Sequence, residues 1–98
     1  MMDEFELCRR AVIKPRMLHA WIEADWIHSR TESAGVSFSE MDLARALLIR
    51  DLLDPMGVNS EGVAIILSLL DQIHGLRRAL RHMRSVTVVQ ESEGSRSG

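Results

Sequence analysis

The sequence is poor in the residues that cross-link chains or carry covalent chemistry. Cys8 is its single cysteine, which excludes an intrachain disulfide and a multi-cysteine zinc cage and fits a reducing compartment. Tyrosine is absent and aromatics amount to 4%. The 46% of hydrophobic residues are therefore mostly Leu, Ile, Val, Ala and Met, the composition of a helical bundle. Positive charge is not in excess. Twelve Lys and Arg against fourteen Asp and Glu give a net charge of -2, which offers no general attraction to phosphate backbones or acidic membranes. No run approaches the ~20 apolar residues that cross a bilayer. The opening MMDEFE is acidic where a secretory signal would be basic and then apolar, so a cytoplasmic protein is expected.

At 98 residues the chain has room for one small domain, whose core is marginal unless association adds to it. Asp3 with Glu6 reads as a capping box for a short helix over residues 4–10, with Phe5, Leu7, Cys8 and Ala11 on its apolar side. After a turn at Val12 and Ile13, Pro15 suits the first turn of a second helix, in which Met17, Leu18, Trp21 and Ile22 form a buried stripe. Two short helices joined by a tight turn make a helix-turn-helix over residues 3–25. The polar run HSRTESAG, between Trp26–Ile27 and Val36–Phe38, predicts a small β-hairpin wing over 26–38. Ser39 and Asp42 cap a helix over 40–54 that breaks at Asp54, Pro55 and Gly57. Asn59 or Ser60 then caps a last helix over 60–85, weakened locally by Gly62 and Gly75. Residues 87–98, ending ESEGSRSG, read as a disordered tail beyond a domain of residues 1–86.

The most informative spacing lies in the last helix. Ile66, Leu69, Ile73, Leu76, Leu80 and Met83 alternate steps of three and four, the seam of a coiled coil. The segment VAIILSLL has the broader apolar face of a helix packed into a domain, whereas beyond Leu70 the stripe narrows, predicting a homodimer paired through the second half. The competing arrangement lays the whole stripe on the helix 40–53 of the same chain. Arg77, Arg78, Arg81 and Arg84 crowd one end while Asp71 and Glu61 lie toward the other, which favours an antiparallel pair.

The helix-turn-helix can also be read as a DNA reader, with Arg9, Lys14, Arg16 and His19 meeting bases or phosphates. Against this, residues 1–35 carry five basic and six acidic side chains, and Glu23 and Asp25 stand where phosphates would pass. His19, His28, His74 and His82 are too scattered for a metal site and read as solvated histidines. Arg9 and Arg10 would lower the pKa of a nearby thiol, but the apolar neighbours of Cys8 make it a small core residue. Trp21 and Trp26 suit the core better than a ligand stack. No nucleophile with a base and an orienting acid, and no glycine-rich phosphate loop, can be picked out. A binding module without cofactor, metal or small-molecule substrate is expected, not an enzyme.

The segments LCRRAVIKPRML and VSFSEMDLARALLIRDLLDPMGVNSEGVAIIL resemble the helix-turn-helix and post-wing stretch of the MerR family of transcription regulators. That resemblance implies a mainly α fold: a MerR-like winged helix-turn-helix with a small β-hairpin wing and a long C-terminal dimerisation helix, antiparallel in the dimer. The departures fall on the DNA-contacting positions. Where the family has an arginine and tyrosines followed by a glycine, this chain has His19, Ala20, Trp21 and Asp25, and the turn glycine of the helix-turn-helix is Val12. The resemblance therefore carries fold further than gene regulation. More narrowly, LSLLDQIHGLRRAL is similar to the final helix of the CbpM chaperone modulators. This second resemblance implies a dimer that binds the J-domain of a CbpA/DnaJ-like co-chaperone and blocks its work with the Hsp70 chaperone DnaK. A J-domain presents a basic helix, so Asp51, Asp54, Glu61 and Asp71 are the candidate partner-binding residues, with ordinary solvated acids as the alternative. A MerR-like DNA-binding regulator, or an excisionase-like accessory factor, is the competing function.

Overall fold

A computed structural model of the chain describes residues 1–32 and 35–97, with side chains described for 1–32 and 35–86. The elements run α1 (Glu4–Ala11), α2 (Pro15–Glu23), β1 (Arg30–Glu32), β2 (Gly35–Ser37), α3 (Glu40–Leu53) and α4 (Ser60–Ser97). The chain divides into two compact units, Met1–Ala64 and Ile65–Gly98.

Each short helix of the first unit starts and stops for a local reason. The Asp3 carboxylate accepts the Glu6 N–H at 2.8 Å and caps α1, whose first turn is acidic and last turn basic, in line with the helix dipole. α1 ends at Val12 with φ 57° and ψ 52°, and the Ile13 N–H reaches back to the Cys8 carbonyl at 3.0 Å. α2 opens on Pro15, whose missing N–H has no partner to lose there. It ends through Asp25 at φ 62°, with the Trp26 N–H on the Trp21 carbonyl at 2.9 Å. Both endings use a left-handed residue of the kind glycine normally supplies. These are the two positions at which the MerR resemblance expects glycine, so the backbone geometry persists although the residues have changed.

α1 packs on α2 and on α3. Leu7, Ala11, Leu18, Ile27, Phe38, Ala46, Ile49 and Val63 are 0% exposed, and no buried side-chain polar atom among the described residues lacks a partner. The expected apolar side of α1 holds at Leu7, Cys8 and Ala11 but not at Phe5, which is 77% exposed. Phe5 precedes Leu7 by two residues, about 200° around a helix, and so faces away from it. In α2 Leu18 and Trp21 are buried, while Met17 and Ile22 at the edges of the stripe are half-buried.

The hairpin is shorter than the expected wing, with β1 inside the polar run and β2 reaching past it to Val36 and Ser37. β1 and β2 are antiparallel with Thr31 opposite Val36, and the expected apolar flanks, Ile27 and Phe38, are buried just outside the strands. Phe38 is held from the other side by Met2, which exchanges backbone hydrogen bonds with it at 2.9 and 2.8 Å. The acidic N-terminal segment thus hides a one-residue bridge.

Ser39 and Asp42 form a complete capping box at the start of α3. α4 opens with the Asn59 side chain accepting the Gly62 N–H at 2.8 Å. A Cβ at Gly62 would stand 2.7 Å from the Val58 side chain, so the close approach of the preceding loop requires glycine there. α4 does not stop near Ser85 but continues as helical backbone through Ser97. No proline follows Ser60, and the β-branched Thr87, Val88 and Val89 lower helix propensity by only a fraction of a kcal/mol each. The side chains of the expected tail, 87–98, and the whole of Gly98 lie outside the described residues.

Candidate partner-binding surfaces

The outward side of α2 carries Arg16, His19, Ala20 and Glu23, all exposed. His19 Nε2 lies 2.5 Å from the Glu4 carboxylate of α1, so this candidate DNA contact already faces an acid. Arg9 in the last turn of α1, Lys14 just before α2 and Arg16 in its first turn are exposed around the helix-turn-helix corner. Glu23 and Asp25 are exposed at the opposite end of α2. A phosphate backbone lying along this helix would meet cations at one end and anions at the other.

Two arginines of α3, which the sequence analysis did not single out, brace the helix-turn-helix from behind. Arg50 donates to the Ala11 carbonyl at 2.7 Å, where α1 leaves unpaired carbonyls, and Arg45 donates to the Trp26 carbonyl just past α2. Arg10 makes a two-pronged contact with Glu40, at 2.9 and 3.1 Å, that joins α1 to the start of α3. The available signal was the interruption of the apolar run LARALLIRDLL by two long cations five residues apart. An arginine inside an apolar helix usually has carbonyls or acids to meet.

The candidate acids are all exposed, and their roles within the first unit are local. Asp51 pairs with its neighbour Arg50 at 3.0 Å, Asp54 is the C-terminal cap of α3, and Glu61 lies in the first turn of α4, where a helix dipole favours an acid. Asp71 belongs to the second unit.

That second unit is a single helix with an apolar stripe. Leu69, Ile73, Leu76, Leu80 and Met83 are between 42% and 65% exposed, Ile66 is half-buried, and Leu67 is the last buried residue of α4 among the described side chains. Val63 and Leu67, one turn apart, are buried, whereas Ile65 and Leu69 in the same VAIILSLL segment are 61% and 52% exposed, so no change of exposure falls at Leu70.

Cys8 is buried, and burial first, then the nearby Glu4 charge, pushes its thiol pKa up. The Arg9 and Arg10 side chains do not activate it. Among the described residues no three His, Cys, Asp or Glu side chains are grouped to hold a metal ion, and no helix is long and apolar enough to cross a membrane.

Taken with the hairpin, these elements make a winged helix-turn-helix module. The pattern that defines the MerR helix-turn-helix family of regulatory proteins matches residues 4–85, and the chain belongs to that family. No curated protein and no solved structure shows significant similarity to it.

Proposed function

We propose that the chain is a homodimeric modulator that binds the J-domain of a CbpA/DnaJ-type co-chaperone and inhibits its cooperation with the Hsp70 chaperone DnaK. The observation that carries this reading is the state of α2. The left-handed turns that shape the helix-turn-helix are kept at Val12 and Asp25, while its reading face has His19 turned to Glu4 and ends on Glu23. A module that keeps its fold while acids interrupt its phosphate-meeting surface is suited to a protein partner. The exposed acids Asp51, Asp54, Glu61 and Asp71 complement a basic J-domain helix, and LSLLDQIHGLRRAL is similar to the final helix of CbpM proteins. The exposed stripe of α4 supports pairing with a second copy.

The test is stimulation of DnaK ATPase by a CbpA-type co-chaperone in the presence of the protein. Equimolar protein is expected to suppress stimulation, and Asp51→Lys with Asp54→Lys to weaken the effect about 10-fold or more. Unchanged stimulation, with no binding to the isolated J-domain, sinks the reading. Dimerisation is checked by sedimentation, in which Ile73→Glu with Leu80→Glu should give a folded monomer.

A DNA-binding regulator or excisionase-like factor is the second reading, favoured by the exposure of Arg9, Lys14 and Arg16 around the turn. It requires operator binding that Lys14→Glu and Arg16→Glu abolish.

A further inference from the structure

The net charge of -2 averages over segments of opposite sign, with residues 91–98 adding two acids and one arginine. Residues 1–71 carry seven basic and twelve acidic side chains, whereas residues 72–90 carry four arginines and no acid. At about 0.1 M salt exposed charges are screened within about 10 Å, so the local sign, not the average, governs what a charged partner meets.

The four arginines are arranged as well as concentrated. His74, Arg77, Arg78 and Arg81 follow the i, i+3, i+4, i+7 spacing of one helix face, and Arg84 extends it by a turn. All five are exposed, and none of the arginines has an acidic partner among the described residues. Arg77 and Arg84 border the apolar stripe of Ile73, Leu76, Leu80 and Met83, while Arg78 and Arg81 lie farther round the helix, so pairing through the stripe leaves at least these two open to a further partner. The ridge is about 15 Å long at the standard rise.

We infer that this ridge of α4 is a sequence-independent binding surface for the phosphate backbone of duplex nucleic acid. Arginine, with its planar fork, takes phosphate oxygens two at a time. A ridge without base-reading partners in a groove confers affinity but not sequence choice. An anionic bilayer is disfavoured because a helix lying in a membrane must insert its apolar stripe, which the pair would already use. The inference does not depend on the J-domain reading, which uses the acids of the chain. It also differs from operator binding by α2, since the cations lie on another helix.

The experiment is fluorescence anisotropy of a labelled duplex of arbitrary sequence titrated with the full chain over a range of salt. Four neutralised phosphates predict a slope of log K on log salt of about -3.6, or roughly a 100-fold loss between 50 and 200 mM. Arg77→Glu, Arg78→Glu and Arg81→Glu together should remove binding, while the same three positions changed to Lys should retain most of it. Lys14→Glu with Arg16→Glu should leave it intact. Absence of binding by the unaltered chain at 50 mM salt overturns the inference, as does binding that the α2 changes abolish and the α4 changes spare. Tighter binding to phosphatidylglycerol vesicles than to the duplex overturns it in favour of a membrane. Because the slope is read on the unaltered chain, the inference stays testable even if the triple Glu variant loses its helix.

Discussion

The first 64 residues and the helix that follows solve different problems. In the unit Met1–Ala64 a core of apolar side chains turns inward, although Phe5, Val12, Met41 and Met56 stay exposed, and helix ends and carbonyls find partners both nearby, as at Ser39 and Asp42, and across the fold, as where Arg50 meets Ala11. In the unit Ile65–Gly98 the apolar side chains stand 42–65% exposed at Leu69, Ile73, Leu76, Leu80 and Met83, and the arginines beside them have no acidic partner among the described residues. The family match spans residues of both, so the two belong to one module.

The sharpest way to break that comparison is to remove a large side chain from each unit. Phe38→Ala should cost about 3–5 kcal/mol, comparable with the ~3–5 kcal/mol that a core of this size supplies, and leave the chain largely unfolded in a denaturant titration. Leu80→Ala, at concentrations where the chain is monomeric, should change stability by less than about 0.5 kcal/mol. If both variants unfold the dilute chain alike, the two units are not distinct in the way described.

A smaller effect of opposite sign is expected at the turn. Val12 is a β-branched residue at φ 57° and 75% exposed. A left-handed conformation costs an L-residue about 1–2 kcal/mol, against about 0.5–1 kcal/mol for the extra freedom of glycine in the unfolded chain. Val12→Gly should therefore raise stability by a few tenths to about 1 kcal/mol. A fall in the denaturation midpoint would show that the Val12 side chain contributes by packing.

The smallest effect concerns the bridge between α1 and α3. The hydrogen bond from Arg10 holds the exposed Glu40 carboxyl below the usual carboxylate range. A carboxylate with a lowered native pKa stabilises the fold above its unfolded pKa, and the contribution disappears as pH falls through the lowered value. Thermal melts of the native chain and of Glu40→Gln should differ slightly at neutral pH and converge under acid conditions. A gap that stays constant with pH would assign the stabilisation to shape, not charge.

Much of the fold was legible because its signals are local. Pro15 at a helix start, Ser39 with Asp42, and the three-and-four spacing after Ile66 each act within one or two turns. What escaped depends on partners distant in sequence. The Met2–Phe38 bridge and the Arg50–Ala11 contact link residues 36 and 39 positions apart, and no window of neighbouring residues announces them. Phe5 misled for a different reason, since hydrophobicity alone does not say on which side of a short helix a residue falls. The candidate surfaces were legible as residue types, but their isolation or pairing, as with His19 and Glu4, required the fold.

The capped start of α4 has one more consequence. A helix in water must first fix several residues before any hydrogen bond rewards them, and thereafter lengthens readily. Here that slow nucleus lies inside the first unit, where Asn59 caps the Gly62 N–H, the Val63 N–H meets the Asn59 carbonyl and the Val63 side chain is fully buried. The exposed residues beyond it therefore grow on a template instead of starting a helix of their own. Order in the later turns of α4 is borrowed from its capped start, so the segment released by severing the chain after Ala64 should lose its helix in water.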